Sequence, residues 1–453
     1  TVKFVFAGAL GLLVLLSVVA WTLRPASPDG RIPLVWVTDP SPSRQEQLDL
    51  FNRLHPGYEL RLDPSNLEMQ KVIVQSIGGV GPDLFTAYDN FGLSAAVKAG
   101  IAWDVTDALT SAGIDFSRDV WNAAQQTFMY EGRIYGFPAN AAVDAIWFHR
   151  DLFDKAGVPY PEGPMTWEEF LPIAQRLTVR DELGRAIQYG FLFDPAAHWL
   201  QFVMQWGGSF YSPDGTRCTL DSPEAIAAAT FMHDLIFRYL VTPSLTELNA
   251  MATQGGWGMN DISFLGSKRV AMALGGRWWL SSLRQYKGLR LGVFECPHAV
   301  RRVFRGYGKS IIINRHSPRR EAALEVFRYL AGRAYNELIN DQADALAPMK
   351  HFCEGPRFLH NPAFPEEDYN HVWRSVMEHT EPEQVSPFVN GQIVARIMAR
   401  QFDMFKTGQK SPEETMCSIT REVNAEIRRT LEINPELRAR WERLTGQKAE
   451  IGG

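Results

Sequence analysis

Between residues 31 and 87 the chain alternates short β-branched runs with amphipathic helical stretches. That alternation restricts it to a mostly parallel sheet with crossover helices. Residues 31–37 (RIPLVWV) have the pattern of a buried strand, and 44–54 place Leu48, Phe51 and Leu54 on one helical face. Residues 58–62 read as a second strand, 69–77 as a helix stopped by Gly78 and Gly79, and 82–87 (PDLFTA) as a third strand. The same alternation returns late in the chain. Residues 264–268 close a helix, 270–274 (VAMAL) form a strand bounded by Gly275 and Gly276, and 291–294 and 310–313 are further strands. The remainder is helix-rich, with helices expected over 167–177, 223–239, 319–331, 387–405, 412–430 and 435–444. Thr166, Ser222 and Ser317 are the expected N-caps, two of them followed by proline at the first helical position.

At 453 residues the chain is too long for one ordinary core, so two lobes are expected. Charged residues make up 21% and the net charge is −5, a balance that argues against a nucleic-acid partner. The four cysteines (Cys218, Cys296, Cys353, Cys417) are far apart and offer no zinc framework, so most are expected to be free. At the N-terminus Lys3 precedes an uncharged run over residues 4–21 (FVFAGALGLLVLLSVVAW). Its length falls between a signal-peptide core and a membrane span. Both readings put the rest of the chain outside the cytoplasm. No cysteine follows, which excludes a lipoprotein anchor, and an uncleaved anchor over 4–21 is the favoured reading.

Enzyme motifs are missing. There is no HExxH, no GxSxG and no GxGxxG after a strand. Residues 306–310 (GYGKS) look like the end of a phosphate loop. However, the first glycine that motif needs is Val303 here, and a strand-like run follows in place of a helix. His351 and Cys353 have no further soft ligands nearby, so no metal or cofactor is expected.

Six segments, in order, resemble the family 1 extracellular solute-binding proteins of ABC importers, the group that includes the maltodextrin- and sugar-binding proteins. They are LVWVTDPSPSRQEQLDLFNRLHPGYELRLD, GGVGPDLFTAYDNFG, EGRIYGFPANAAVDAIWFHRDLFDKAGV, MTWEEF, FLGSKRVAMALGGRWWL and GYGKSIIINRHSP, spanning residues 34 to about 330. The resemblance implies an α/β fold: a two-lobe periplasmic-binding-protein architecture of type II-like form, preceded here by the hydrophobic N-terminal helix. It implies lobe I from 31–142 plus 310–352 and lobe II from 143–309 plus 353–446. Residues 1–30 are then a signal or anchor helix with its linker, and 447–453 a disordered tail. The implied ligand is a small-molecule carbohydrate held in the cleft, and the implied partners are ABC permease subunits. The protein is expected to act as a monomer on the periplasmic or extracellular face, without enzymatic activity.

Carried over by position, the resemblance implies ligand contacts in the loop after the first strand (Asp39, Ser41) and after the third (Asp89, Asn90). It implies further contacts just beyond the first crossing (Asp144), in a second-lobe loop (Asp194, His198, Trp199), at the cleft tryptophan Trp278 and at Tyr307 of the second crossing. Carboxylates and amides pair with hydroxyl groups, and aromatic rings cover the flat apolar faces of a sugar. Trp257 lies in a glycine-rich stretch ill-suited to a core and is expected as a lip over the ligand. Trp36 and Trp279 are expected in the core. Thr86 stands where a family member carries an aromatic residue, and His149 where the family has asparagine. Hinges are expected near 139–144 and 307–311. The rival readings are the same fold binding another solute, a membrane-tethered glycoside-active enzyme with two catalytic carboxylates, and a sensor partner for a histidine kinase.

Overall fold

A computed structural model of the protein describes residues 11–13, 15, 16, 30–64, 68–251 and 259–449. Most of the 4–21 run, and all of Trp257, lie outside the described residues. Among the described residues no helix is long and apolar enough to cross a membrane.

The strands are β1 (Ile32–Val37), β2 (Tyr58–Asp63), β3 (Leu84–Ala87), β4 (Met129–Tyr130), β5 (Arg133–Ile134), β6 (Gly136–His149), β7 (Val179–Arg180), β8 (Ala186–Leu192), β9 (Val270–Gly276), β10 (Leu291–Phe294), β11 (Phe304–Ile313) and β12 (Thr380–Glu381). β4 and β5 form a separate hairpin, and the other ten make one sheet in the order β2-β1-β3-β11-β6-β9-β8-β7, with β10 on β6 and β12 on β11. β1 runs parallel to both β2 and β3, as the opening alternation requires.

β6 is buried along all fourteen residues, and its two halves belong to different neighbourhoods. From Gly136 to Val143 it pairs with β11, which carries it to β3 and the first lobe. From Asp144 to Phe148 it pairs with β9, and from Ile146 to His149 with β10, in the second lobe. The β11–β6 register shifts between Lys309 and Ser310, a bulge that breaks the ladder at the crossing.

The helices include α1 (Pro42–Leu54), α2 (Met69–Ile77), α3 (Asn90–Lys98), α4 (Trp167–Leu177), α5 (Pro195–Gln205), α6 (Pro223–Phe237), α7 (Arg320–Ala331), α8 (Arg333–Gln342), α9 (Asn370–Met377), α10 (Gly391–Lys406), α11 (Pro412–Ile433) and α12 (Pro435–Thr445). Thr166 caps α4 with a full capping box to Glu169, and Ser222 caps α6. Ser317 is not the cap expected of it. α7 starts after Arg319, and the Ser317 hydroxyl instead donates to the buried Asp83 carboxylate (2.5 Å) while accepting from the Arg319 amide (3.0 Å). α10 begins at Gly391, four residues later than expected, where the Asn390 side chain takes the Gln392 amide. The close approach of Gly391 to Phe91 seats the start of α10 on α3. All four cysteines are free, three of them buried. The tail is described as far as residue 449, where the Ala449 amide donates to Glu442 (3.0 Å).

Candidate ligand-binding cleft

β11 supplies the floor of the junction. Side chains alternate along a strand, so Arg305, Tyr307 and Lys309 share one face. The flanking glycines are there because backbone comes close on both sides. A Cβ at Gly306 would collide with Ala123, and one at Gly308 would lie 2.6 Å from the Asn140 carbonyl oxygen. Tyr307 donates to Asp144 Oδ1 (2.7 Å) and accepts from the Trp278 indole N–H (3.0 Å). Trp278 sits on the short turn that follows β9. Gly276 precedes it because a Cβ there would stand 2.5 Å from both the Trp278 ring and the Tyr307 hydroxyl. On the other side of Asp144, His198 of α5 points Nε2 at Oδ2 (3.6 Å). Burial lowers the His198 pKa against the pull of Asp144 and Asp194, so the ring is a neutral partner near pH 7. The Arg305 guanidinium lies 5.2 Å from the centre of the Tyr307 ring.

The first lobe contributes two loops. In the loop after β1, the Asp39 carboxylate accepts the Tyr88 hydroxyl (2.7 Å), and its backbone amide donates to the same oxygen (3.1 Å). Ser41 spends its hydroxyl capping α1, accepting from the Arg44 amide. Arg44 is almost completely buried. Burial works against its charge, but Asp344 and Asp39 outweigh it and the pKa is raised. Lys309 lies 3.2 Å from Asp344 and 3.9 Å from Asp39, so two cations and two carboxylates balance there. In the loop after β3, Asp89 caps α3 through the Gly92 amide (2.7 Å). Its pKa is raised chiefly by burial. Asn90 donates to Glu383 (2.8 Å), which comes from the segment after β12.

Glu383 carries a testable consequence. Burial, reinforced by the neighbouring Asp89, pushes its carboxyl from 4.5 up to about 7, with Arg305 pulling the other way. Below pH 4.5 the group is protonated in both folded and unfolded chains. As pH rises towards 7 the unfolded chain releases the proton first, so the folded state loses stability. Allowing for partial exposure, the loss is about 2 kcal/mol. Glu383→Gln is therefore expected to raise the melting temperature relative to the parent at pH 8 and to leave it unchanged at pH 4. Parallel thermal melts at the two pH values check this.

With this geometry in place, comparison with known proteins decides the family. The family model for bacterial extracellular solute-binding proteins matches residues 36–337. This chain is a bacterial extracellular solute-binding protein. A Brucella abortus protein described as a binding protein is 23% identical over 329 residues, covering 71% of this chain and 76% of that one. Among solved structures, a Listeria monocytogenes ABC substrate-binding protein in complex with cycloalternan superposes with a TM-score of 0.74 at 21% identity. That match covers 87% of this chain and 98% of the other. A maltose/maltodextrin-binding domain from Bdellovibrio bacteriovorus bound to maltotriose superposes at 0.69 and 18% identity, covering 88% and 100%. At these identities the structural matches establish the shared two-lobe fold.

In this solute-binding protein Asp144, His198, Trp278 and Tyr307 come together around one hydrogen-bonded chain. Arg305 adds a charge to that group and is also within electrostatic reach of Asp89 and Glu383. Asp39 lies across the crossing, tied to it through Lys309. Asp194 meets that group through its backbone, which bonds to His198 Nδ1 (2.9 and 3.1 Å), while its side chain turns elsewhere and Trp199 stands apart. Asp194 caps α5 through the Ala196 amide and meets Lys406 at 3.4 Å. Burial and Asp194 push its neighbour Asp261 up to about 7, against Lys406. Trp199 is 6% exposed and packs on Phe210 and Phe402, a core position. Trp36 and Trp279 are core residues too, and Thr86 is buried under Trp36, whose indole donates to it (2.9 Å). His149 is fully buried and bonded to the Leu265 carbonyl (2.6 Å).

Sequence reasoning missed Arg305, Lys309, Tyr88, Glu383 and Asp344. The first three sit one or two positions from named candidates, and strand periodicity from Tyr307 finds two of them. Glu383 and Asp344 have no local signal, since their partners lie far away along the chain. A separate cavity of about 470 Å³ runs along β10 past Tyr160, Arg302 and Val372, and shares none of the cleft residues.

Proposed function

We propose that the cleft captures a neutral carbohydrate between the two lobes and delivers it to the permease of an ABC importer. The observation that carries this reading is the Trp278–Tyr307–Asp144 chain. It sets an indole face and a carboxylate side by side at the crossing strand, as a sugar ring with its hydroxyls requires. Asp89 and Asn90 of the first lobe extend the polar lining, so both lobes hold groups for the ligand. The named ligands of the two structural relatives, cycloalternan and maltotriose, support the same class. The lobes are taken as 31–142 with 310–352 and 143–309 with 353–446, hinged near 139–144 and 307–311. The bulge at Lys309 and Ser310 is a natural place for bending. Ligand shifts an open–closed equilibrium by its preference for the closed form. The protein acts as a monomer outside the cytoplasm and catalyses no reaction. Two of its carboxylates, Asp144 and Asp39, serve as acceptors for Tyr307 and Tyr88.

A thermal-shift screen of mono- and oligosaccharides tests the reading, because a ligand that binds only the native state stabilises it by mass action. The expected gain is about 2.7 kcal/mol at a hundred times Kd. Arg305 offers a cation near the cleft, and Asp89 and Asp144 offer carboxylates, so glycerophosphodiesters and polyamines both belong in the panel. A shift from those compounds with none from any sugar would overturn the carbohydrate assignment and leave the family intact. Release of reducing ends from an oligosaccharide would overturn the non-enzymatic one.

A further inference from the structure

One short turn hydrogen-bonds to residues of both lobes. α8 ends at Gln342, and Ala343 and Ala345 both take left-handed backbone angles, with φ of 57° and 66°. An alanine pays a steric penalty there that glycine does not. Two such residues around one aspartate, in a buried segment, mean that the surroundings dictate the backbone.

Those surroundings reach into both lobes. The Asp344 carboxylate accepts from Arg44 (3.2 Å) and Gln47 (3.1 Å) of α1, from Asn140 of β6 (3.3 Å) and from Lys309 of β11 (3.2 Å). Arg44 and Lys309 are the two cations beside Asp39. One residue on, the Ala345 carbonyl accepts from Arg277 (2.8 Å), which also donates to the Asn340 carbonyl (3.2 Å) and to Asn370 of α9 (3.0 Å). Arg277 is 1% exposed and directly precedes Trp278. Leu346 then exchanges both backbone hydrogen bonds with Ala141, in the middle of the crossing strand (2.9 and 3.1 Å).

We propose that the Ala343–Asp344–Ala345 turn is a positioning element. Asp344 sets the Asp39 loop of the first lobe, Ala345 through Arg277 sets the Trp278 turn of the second, and the strained backbone between them fixes one relative to the other. The inference rests on the cleft assigned above as the ligand site. It adds a group that touches no ligand, yet sets the distance across which a ligand is gripped.

The test replaces both alanines with glycine (Ala343→Gly, Ala345→Gly), which suits the positive φ and lets the turn move. Spin labels are placed on the exposed positions Gln70 and Glu182, one per lobe, as Gln70→Cys and Glu182→Cys in a Cys417→Ser background. The distance distribution between them is measured in protein without ligand. The expected result is a distribution roughly twofold wider, with an unchanged or higher melting temperature. A merely structural turn would lose lobe order only together with stability. An unchanged distribution, or a broader one accompanied by a lower melting temperature, overturns the proposal. Affinity for whichever sugar shifts the parent protein is expected to fall about tenfold. If no sugar binds the parent, the carbohydrate reading fails, and the ligand-free distances still decide the role of the turn.

Discussion

Trp278→Ala is expected to weaken sugar binding by about a hundredfold, equivalent to about 3 kcal/mol, while leaving the protein folded. The ring is half-buried at the end of β9, and its indole N–H orients the Tyr307 hydroxyl towards Asp144. Truncation removes the flat apolar face that covers the ligand and the group that fixes the adjacent hydroxyl. The core loses little, because the neighbouring Trp279, at 3% exposure, carries the packing load on that turn. Unfolding stability is accordingly expected to drop by no more than about 1 kcal/mol. Calorimetric titration against the sugar found by thermal shift reads the first effect, and urea unfolding reads the second. Affinity within threefold of the parent would mean that Trp278 does not cover the ligand.

The opposite balance is expected one residue earlier. Arg277→Ala should destabilise the protein by about 3–5 kcal/mol, through the cavity left and the buried acceptors stranded. The guanidinium is surrounded by the Ala345 and Asn340 carbonyls, Asn370 and the face of Phe358, with its centre 4.9 Å from that ring. Among the described residues no carboxylate forms an ion pair with it. Burial lowers its pKa to about 10, only partly offset by the more distant Glu367. The site is therefore costly to occupy with a charge and still more costly to empty, since three acceptors depend on one side chain. Arg277→Lys keeps the charge but loses the planar fork, and should recover part of the loss. Urea midpoints for the three proteins test this. An alanine variant as stable as the parent would show that the buried network does not hold the Trp278 turn.

Much of the fold was legible because its signals are local. The helices Met69–Ile77 and Trp167–Leu177 and the strand Leu291–Phe294 fall where periodicity and stop signals put them. β11 was seen only in its apolar half. Its first residues, Phe304 to Lys309, are rich in glycine and charge and have low strand propensity. They are extended because β12 pairs with Phe304 and Arg305 and β6 pairs with Gly306 to Lys309 across the lobe junction. Ser317 read as a cap by spacing, but a buried carboxylate, Asp83, claimed its hydroxyl. Asp144, Trp278 and Tyr307 could be named together because the resemblance marks the crossing strands. Asp344 and Glu383 could not, since Arg44 and Asn90, which bond to them, lie roughly 300 residues away in the chain. Trp199 looked like a cleft ring from its loop position, but the helix that starts at Pro195 turns it into the core.

The most direct measurement is a crystal structure of the protein with the sugar that raises its melting temperature most. A sugar ring lying on Trp278, with hydroxyls within hydrogen-bond reach of Asp144 and of first-lobe groups such as Asp89, is the predicted result. Sugar bound outside the interlobe groove, for example in the cavity along β10, with the Trp278 ring uncovered, would contradict the account.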